Sequence, residues 1–209
     1  MKFEHEYALL GGCNRASIGR WLGSIAALIS GGIVFLILSA VDLAGSLGWN
    51  VNLPPTVLSL VGAGAVYGIL YWLFDRRIWK LAPVAKLLRV PDLSGKWGCI
   101  GTPLQPGAAI PWQGTITIIQ SWDKLRVHLE TQTSVSDSLS AALLFDEAAG
   151  YRLMYHYSNQ PRVTAQGMAT HHGFAELVFA PGEQQAAGDY FNGRGRNTYG
   201  TLTVTRVTV

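Results

Sequence analysis

Two long uncharged runs open the chain, and short alternating runs fill the rest. Trp21 to Val41 is 21 residues without a charge, and Asp42 closes it. A second uncharged run goes from about Val57 to Phe74 and stops at Asp75-Arg76-Arg77. Roughly 20 apolar residues in helix span a bilayer core, so both runs predict transmembrane helices, about 21–41 and 57–74. A polar connector with Gly45, Gly48, Asn50, Asn52, Pro54 and Pro55 separates them. Trp21, Trp49, Tyr71 and Trp72 fall near the ends, where interfacial aromatics belong. A cleaved signal peptide fits the first run poorly, because its core is too long and a second span follows. A pair of buried core helices is the other alternative. Residues 1–17 are mixed and read as irregular or as a short helix.

From Pro91 the pattern changes to alternation and turn clusters. Strands are predicted near 95–101, 112–121, 124–132, 138–146, 151–158, 171–180, 186–193 and 199–208. Eight antiparallel strands close readily into a barrel able to hold one small ligand; a sandwich is the alternative. Gly95-Lys96-Trp97 opens the first strand and Arg206 sits in the last. In lipocalin-like barrels such a tryptophan closes one end with an arginine laid across it. The expected fold is therefore two N-terminal transmembrane α-helices plus an all-β domain, an eight-stranded antiparallel lipocalin-like β-barrel. The expected boundaries are 1–80 for the helical hairpin, 81–91 for a juxtamembrane basic linker and 92–209 for the barrel.

Charge sets the orientation. Residues 1–89 hold eight Lys/Arg against four acids, while 90–209 hold eight against nine. The basic excess is juxtamembrane, which gives no basic face for polymeric nucleic acid. Arg15 and Arg20 precede the first span, Arg76, Arg77, Lys80, Lys86 and Arg89 follow the second, and 43–56 has neither Lys nor Arg. The positive-inside rule puts both termini and the barrel in the cytoplasm, with the chain crossing the membrane twice. The two cysteines, Cys13 and Cys99, are far apart and form no disulfide framework or zinc spacing. Small residues recur every fourth position in the first span (Gly19, Gly23, Ala27, Gly31), and the second has Gly64 and Gly68. Such faces serve close helix packing in lipid, either between the two spans or between chains. No ionisable residue lies inside either span, so an ion or proton relay has nothing to use.

Candidate chemistry is binding rather than catalysis. Tyr151, Leu153, Tyr155 and Tyr157 share a strand face, and Thr131, Ser134, Ser136 and Ser138 give a hydroxyl-rich patch. The stretch Gly188 to Gly200 adds Asn192, Arg194, Arg196 and Tyr199 among its four glycines. Together they predict an aromatic, hydroxylic and cationic pocket, suited to a small anion with flat bases. If the strand runs through both arginines they share a face; if the chain turns at Gly193 or Gly195 only one reaches the pocket, Arg194 first. The residues show no nucleophile elbow, P-loop or metal spacing, so catalytic residues, metals and cofactors are expected to be none. His171-His172 beside Gly173 reads as a turn rather than a site.

The chain resembles the bacterial CBASS effectors that combine two transmembrane helices with a β-strand-rich sensor domain. The resemblance rests on Asp92-Leu93-Ser94-Gly95-Lys96-Trp97, Gln120-Ser121-Trp122, Leu129-Glu130-Thr131 with Ser134, Ser136, Ser138 and Ala141, Tyr155 to Pro161, His172-Gly173 with Ala175, and Gly188 to Gly200. The connector Pro103 to Pro111 departs from a tight hairpin. The resemblance implies a membrane-tethered receptor for a cyclic dinucleotide made by a cognate nucleotidyltransferase. It implies homo-oligomers that disrupt the inner membrane and kill the phage-infected cell. Ligand contacts are then expected from Tyr155, Tyr157, Arg194, Arg196 and Tyr199, supported by Thr131, Ser134 and Asn192. Trp97 and Arg206 are expected to be structural. Two rival readings are a membrane-anchored lipocalin-like carrier or sensor of an apolar small molecule, and a structural protein with a filled barrel.

Overall fold

The computed structural model describes residues 4–52, 54–105, 110–163, 165, 169–193 and 197–207. The chain divides into two compact units: a helical unit, Cys13–Trp79, and a β unit made of the segments up to Gly12 and from Lys80 onward.

In the helical unit, α1 spans Arg15–Ser46. Asn14 caps it in an extended conformation, and its side chain accepts from the Ala16 amide at 2.8 Å. The helix overruns the expected 21–41 at both ends. Charge bounded that expectation, whereas the backbone continues through Arg20 and Asp42 until Leu47, with Gly48 left-handed just beyond. At 1.5 Å per residue α1 is about 48 Å long, more than a bilayer core. The second apolar segment is broken into α2 (Pro55–Leu60) and α3 (Ala63–Arg76). The break frees the Val61 carbonyl, and the Ser30 hydroxyl of α1 donates to it at 2.6 Å. A hydroxyl from a neighbouring helix is how a broken span regains a lost backbone bond in lipid. Within the apolar windows of the two segments only 11% and 6% is buried, so they are not the core helices of a soluble domain. Leu22, Ala26 and Ser30 are the buried residues of α1. Gly19 faces the Tyr67 hydroxyl, but Gly23, Gly31, Gly64 and Gly68 look onto open space and Ala27 is exposed. The chain's own packing therefore uses the face beside the small-residue stripe and leaves most of the stripe uncovered.

In the β unit a short helix, α4 (Ala82–Leu88), precedes the sheet. Pro83 stands in its first turn, where it costs no hydrogen bond, and Arg89 in the left-handed region ends it. The strands are β1 (His5–Leu10), β2 (Gly95–Pro103), β3 (Trp112–Gln120), β4 (Lys124–Thr131), β5 (Ser134–Asp146), β6 (Gly150–Pro161), β7 (His171–Phe179), β8 (Gln185–Asn192) and β9 (Tyr199–Arg206). They close into a barrel in the order β1-β4-β3-β2-β9-β8-β7-β6-β5. Among the described residues the count is nine, which corrects the expected eight. The added strand is residues 5–10, expected to be irregular or helical. They pair antiparallel with β4 and parallel with β5. Strands β2 to β9 overlap the expected runs, with β5 beginning four residues earlier and β6 ending three residues later than expected, and they pair antiparallel with their neighbours.

Alternation sends one face of each strand inward. Trp97, Ile116, Ile118, Trp122, Leu125, Leu143, Leu153, Leu177 and Val204 fill the core, each 2% exposed or less. Arg206, paired with Trp97 across β2 and β9, lays its guanidinium 4.6 Å from the indole centroid. Its two terminal nitrogens donate to the Asp92 carbonyl at 2.8 Å and the Ser94 carbonyl at 3.2 Å, while Trp97 Nε1 donates to the Leu93 carbonyl at 3.1 Å. That end of the barrel is filled. Cys99, inward on β2, is buried, and burial pushes its thiol up to about 12.

Candidate functional site

Above that packed layer the interior opens into a cavity of about 590 Å3, within the size range of small-molecule sites. Four aromatics wall it: Trp112, Tyr155, Tyr157 and Tyr190. Glycine on the facing strand makes room for two of them. A Cβ at Gly101 would collide with the Trp112 indole, and one at Gly173 with the Tyr157 ring. Tyr155 and Tyr157 sit 6.0 Å apart at a 48° tilt, and Trp112 meets Tyr190 edge-on at 5.9 Å. Burial, then Cys99 and Tyr157, push the Tyr155 hydroxyl well above the usual tyrosine range, so it stays neutral.

Polar groups complete the wall. Tyr157 donates to Asn192 Oδ1 at 2.8 Å, and Asn192 Nδ2 donates to Thr198 Oγ1 at 2.7 Å. Asn159 Nδ2 donates to Ser134 Oγ at 3.0 Å and Ser136 Oγ at 2.7 Å, while its Oδ1 is buried without a hydrogen-bond partner among the described residues. Thr131 Oγ1 accepts from the Ser134 amide at 3.0 Å and fixes the turn that presents both serines. His171 lines the cavity as well, with Nδ1 held 3.0 Å from the Ala169 carbonyl. No lysine, arginine or carboxylate is among the lining residues described. Arg162 stands close by, its Nε donating to the Thr131 carbonyl at 3.3 Å.

Of the residues singled out from sequence, Tyr155, Tyr157, Thr131, Ser134 and Asn192 come together around this cavity. Tyr199 does not: it is half exposed on the outer face of β9, because Gly200, Leu202 and Val204 take the inward positions. Arg194 and Arg196 lie outside the described residues. Sequence reading missed Asn159, Trp112, Tyr190, His171 and Arg162. Asn159 had a signal, since it continues the inward period of Tyr155 and Tyr157. His171 begins β7 rather than a turn. Trp112 and Tyr190 meet only through the strand order, which no local pattern carries.

The described wall offers flat faces, hydroxyls and amides. No cluster of metal-ligating side chains occurs among the described residues. A family model described as the Cap15 cyclic dinucleotide receptor domain matches residues 88–206, and a second, described as Cap15 TM helices, matches 16–80. CD-NTase-associated protein 15 of Yersinia aleksiciae is 40% identical over 203 residues, covering 97% of each chain.

Proposed function

The chain belongs to the Cap15 family, and on that premise we propose that its barrel cavity holds one cyclic dinucleotide and that occupancy drives the chains to associate and breach the membrane. The carrying observation is the cavity itself: aromatic faces beside hydroxyls and amides, with no carboxylate among the described wall residues to repel phosphate. Tyrosine and tryptophan rings stack bases without regard to sequence. Ser134, Ser136, Asn159 and Asn192 offer hydrogen bonds to base edges or ribose. Arg162, at the turn that presents Ser134, supplies phosphate with a guanidinium. Arg194 and Arg196, which lie outside the described residues, are proposed for the same role on the sequence alone.

The proposal extends to the membrane. The basic residues flanking both apolar segments support a cytoplasmic position for the termini and the barrel, where a cognate nucleotidyltransferase would release its product. The uncovered Gly23, Ala27 and Gly31 face is the surface through which chains meet in lipid. Clustered spans disrupt the inner membrane, and the infected cell dies before the phage matures. The protein acts by binding, not by turnover.

The test is thermal. Full-length chain in detergent is unfolded with and without cyclic di-GMP, cyclic di-AMP, cyclic di-UMP and cyclic GMP–AMP. A ligand at a hundred times its Kd adds about 2.7 kcal/mol to the folded state, so at least one member raises Tm. No rise with any member overturns the proposal. An apolar cargo instead predicts co-purifying lipid and no nucleotide response.

A further inference from the structure

Residues 5–10 fall outside both matched segments, 16–80 and 88–206, yet they form β1 and complete the barrel. Their position is specific. Strands β4 and β5 pair directly over only three residue pairs, His128–Asp137, Leu129–Ser136 and Glu130–Val135. Beyond them the strands part, and β1 enters the fork. His5 and Glu6 pair with β4, while Tyr7 to Leu10 pair with β5. Ser138 sits at the branch point. Its buried hydroxyl accepts from the Val127 amide at 2.9 Å and lies 2.7 Å from His5 Nε2, so one side chain ties three strands together. Tyr7 anchors β1 in the core at 2% exposure, its hydroxyl donating to the Ser121 carbonyl at 3.3 Å.

The same two strands wall the cavity on the other side of the fork. Val127, Leu129, Ser134 and Ser136 line it. On β5 the order is therefore cavity at 134 and 136, branch point at 138, and β1 pairing at 141–144. At its far end β1 runs through Gly11 and Gly12 to Asn14, the cap of α1. Gly11 has φ +73°, and a Cβ there would strike the Phe145 carbonyl, so the exit from the sheet is fixed.

We infer that β1 is the coupling strand of this protein: the β4–β5 fork reads the state of the cavity, and β1 carries it along the chain into α1. The inference rests on the receptor reading above. It makes the N-terminal strand part of the signalling apparatus rather than a leader to the first span.

Two full-length variants test it, one inserting Gly-Ser-Gly-Ser between Gly12 and Cys13 and one carrying Tyr7→Ala. The insertion leaves both units intact but slackens their link; the substitution unpins β1. Each is placed, beside wild type, in phosphatidylethanolamine–phosphatidylglycerol vesicles with the panel member that raises wild-type Tm most. Both variants should keep a ligand-induced rise in Tm, while ligand-driven crosslinking between chains falls to the ligand-free level. Ligand-driven crosslinking that is equally high in all three proteins overturns the coupling role alone; none in wild type overturns ligand-driven association, and the coupling role with it. Loss of the ligand-induced rise in both variants overturns it too, because β1 then builds the site instead of reading it. A wild type that no panel member stabilises contradicts the receptor reading, and with it the input β1 would carry.

Discussion

Tyr157 stands where three constraints meet: its ring faces Gly173, its hydroxyl holds Asn192, and its neighbour on the same face is Tyr155. Gly173→Ala puts a Cβ into that ring. Overpacking of this kind costs about 1–3 kcal/mol, so the variant should melt measurably lower and bind the nucleotide more weakly. A Gly173→Ala chain with wild-type Tm would show that the ring has room to move. Cys99 gives a second residue-scale expectation. Its pKa is raised to about 12 by burial, so the native thiol resists iodoacetamide at neutral pH, and rapid alkylation before unfolding would contradict the buried site. The sign for stability follows. The contribution from keeping this thiol neutral is full below the unfolded thiol's pKa of roughly 8.5 and is lost as pH rises toward 12. Much of this site was legible at the same scale. Tyr155 and Tyr157 share parity with Leu153, and period two alone puts them inside. Parity also bears on Tyr199, because Leu202 and Val204 are inward and an odd-numbered neighbour must point out.

At the scale of elements, β2 to β9 were readable because each carries its own alternation or turn. β1 was not. His-Glu-Tyr-Ala-Leu-Leu buries one side chain, Tyr7, so no period shows, and its partners lie more than a hundred residues away along the chain. The break between α2 and α3 was equally hidden, since nothing in an apolar run marks which carbonyl a distant serine will satisfy. Ser30→Ala leaves the Val61 carbonyl without that bond. Interhelical hydrogen bonds in membranes contribute about 0.6–2 kcal/mol, so the helical unit should lose stability on that order, read by unfolding in mixed micelles. An unchanged midpoint would mean that the break is satisfied by other means. The stripe makes the opposite kind of claim. Gly23→Leu with Ala27→Leu fills a face the chain leaves open, so the monomer should insert normally while chain-to-chain crosslinking falls. Crosslinking at the wild-type level counts against that interface.

For the whole molecule the account is a division of labour along one chain. The barrel has one packed end, locked by Arg206 over Trp97, and one open end where the cavity lies. The helical unit, Cys13–Trp79, is inserted between the first strand and the remaining eight, so the chain passes between the units twice. A barrel cut to residues 88–206 lacks β1 and keeps only the direct β4–β5 pairing at that seam. The charge-assisted contact expected of Arg162 is worth about 1.5–3 kcal/mol, so Arg162→Ala should weaken nucleotide binding roughly tenfold or more without moving the ligand-free Tm. The most direct measurement is an equilibrium titration of full-length chain with the cyclic dinucleotide that stabilises it best, beside Tyr157→Ala and Asn192→Ala. One ligand per chain is expected, with binding at least about fivefold weaker in each variant, the loss of one stacking platform or buried polar contact. Binding of none of the panel, or binding that neither substitution disturbs, would contradict it.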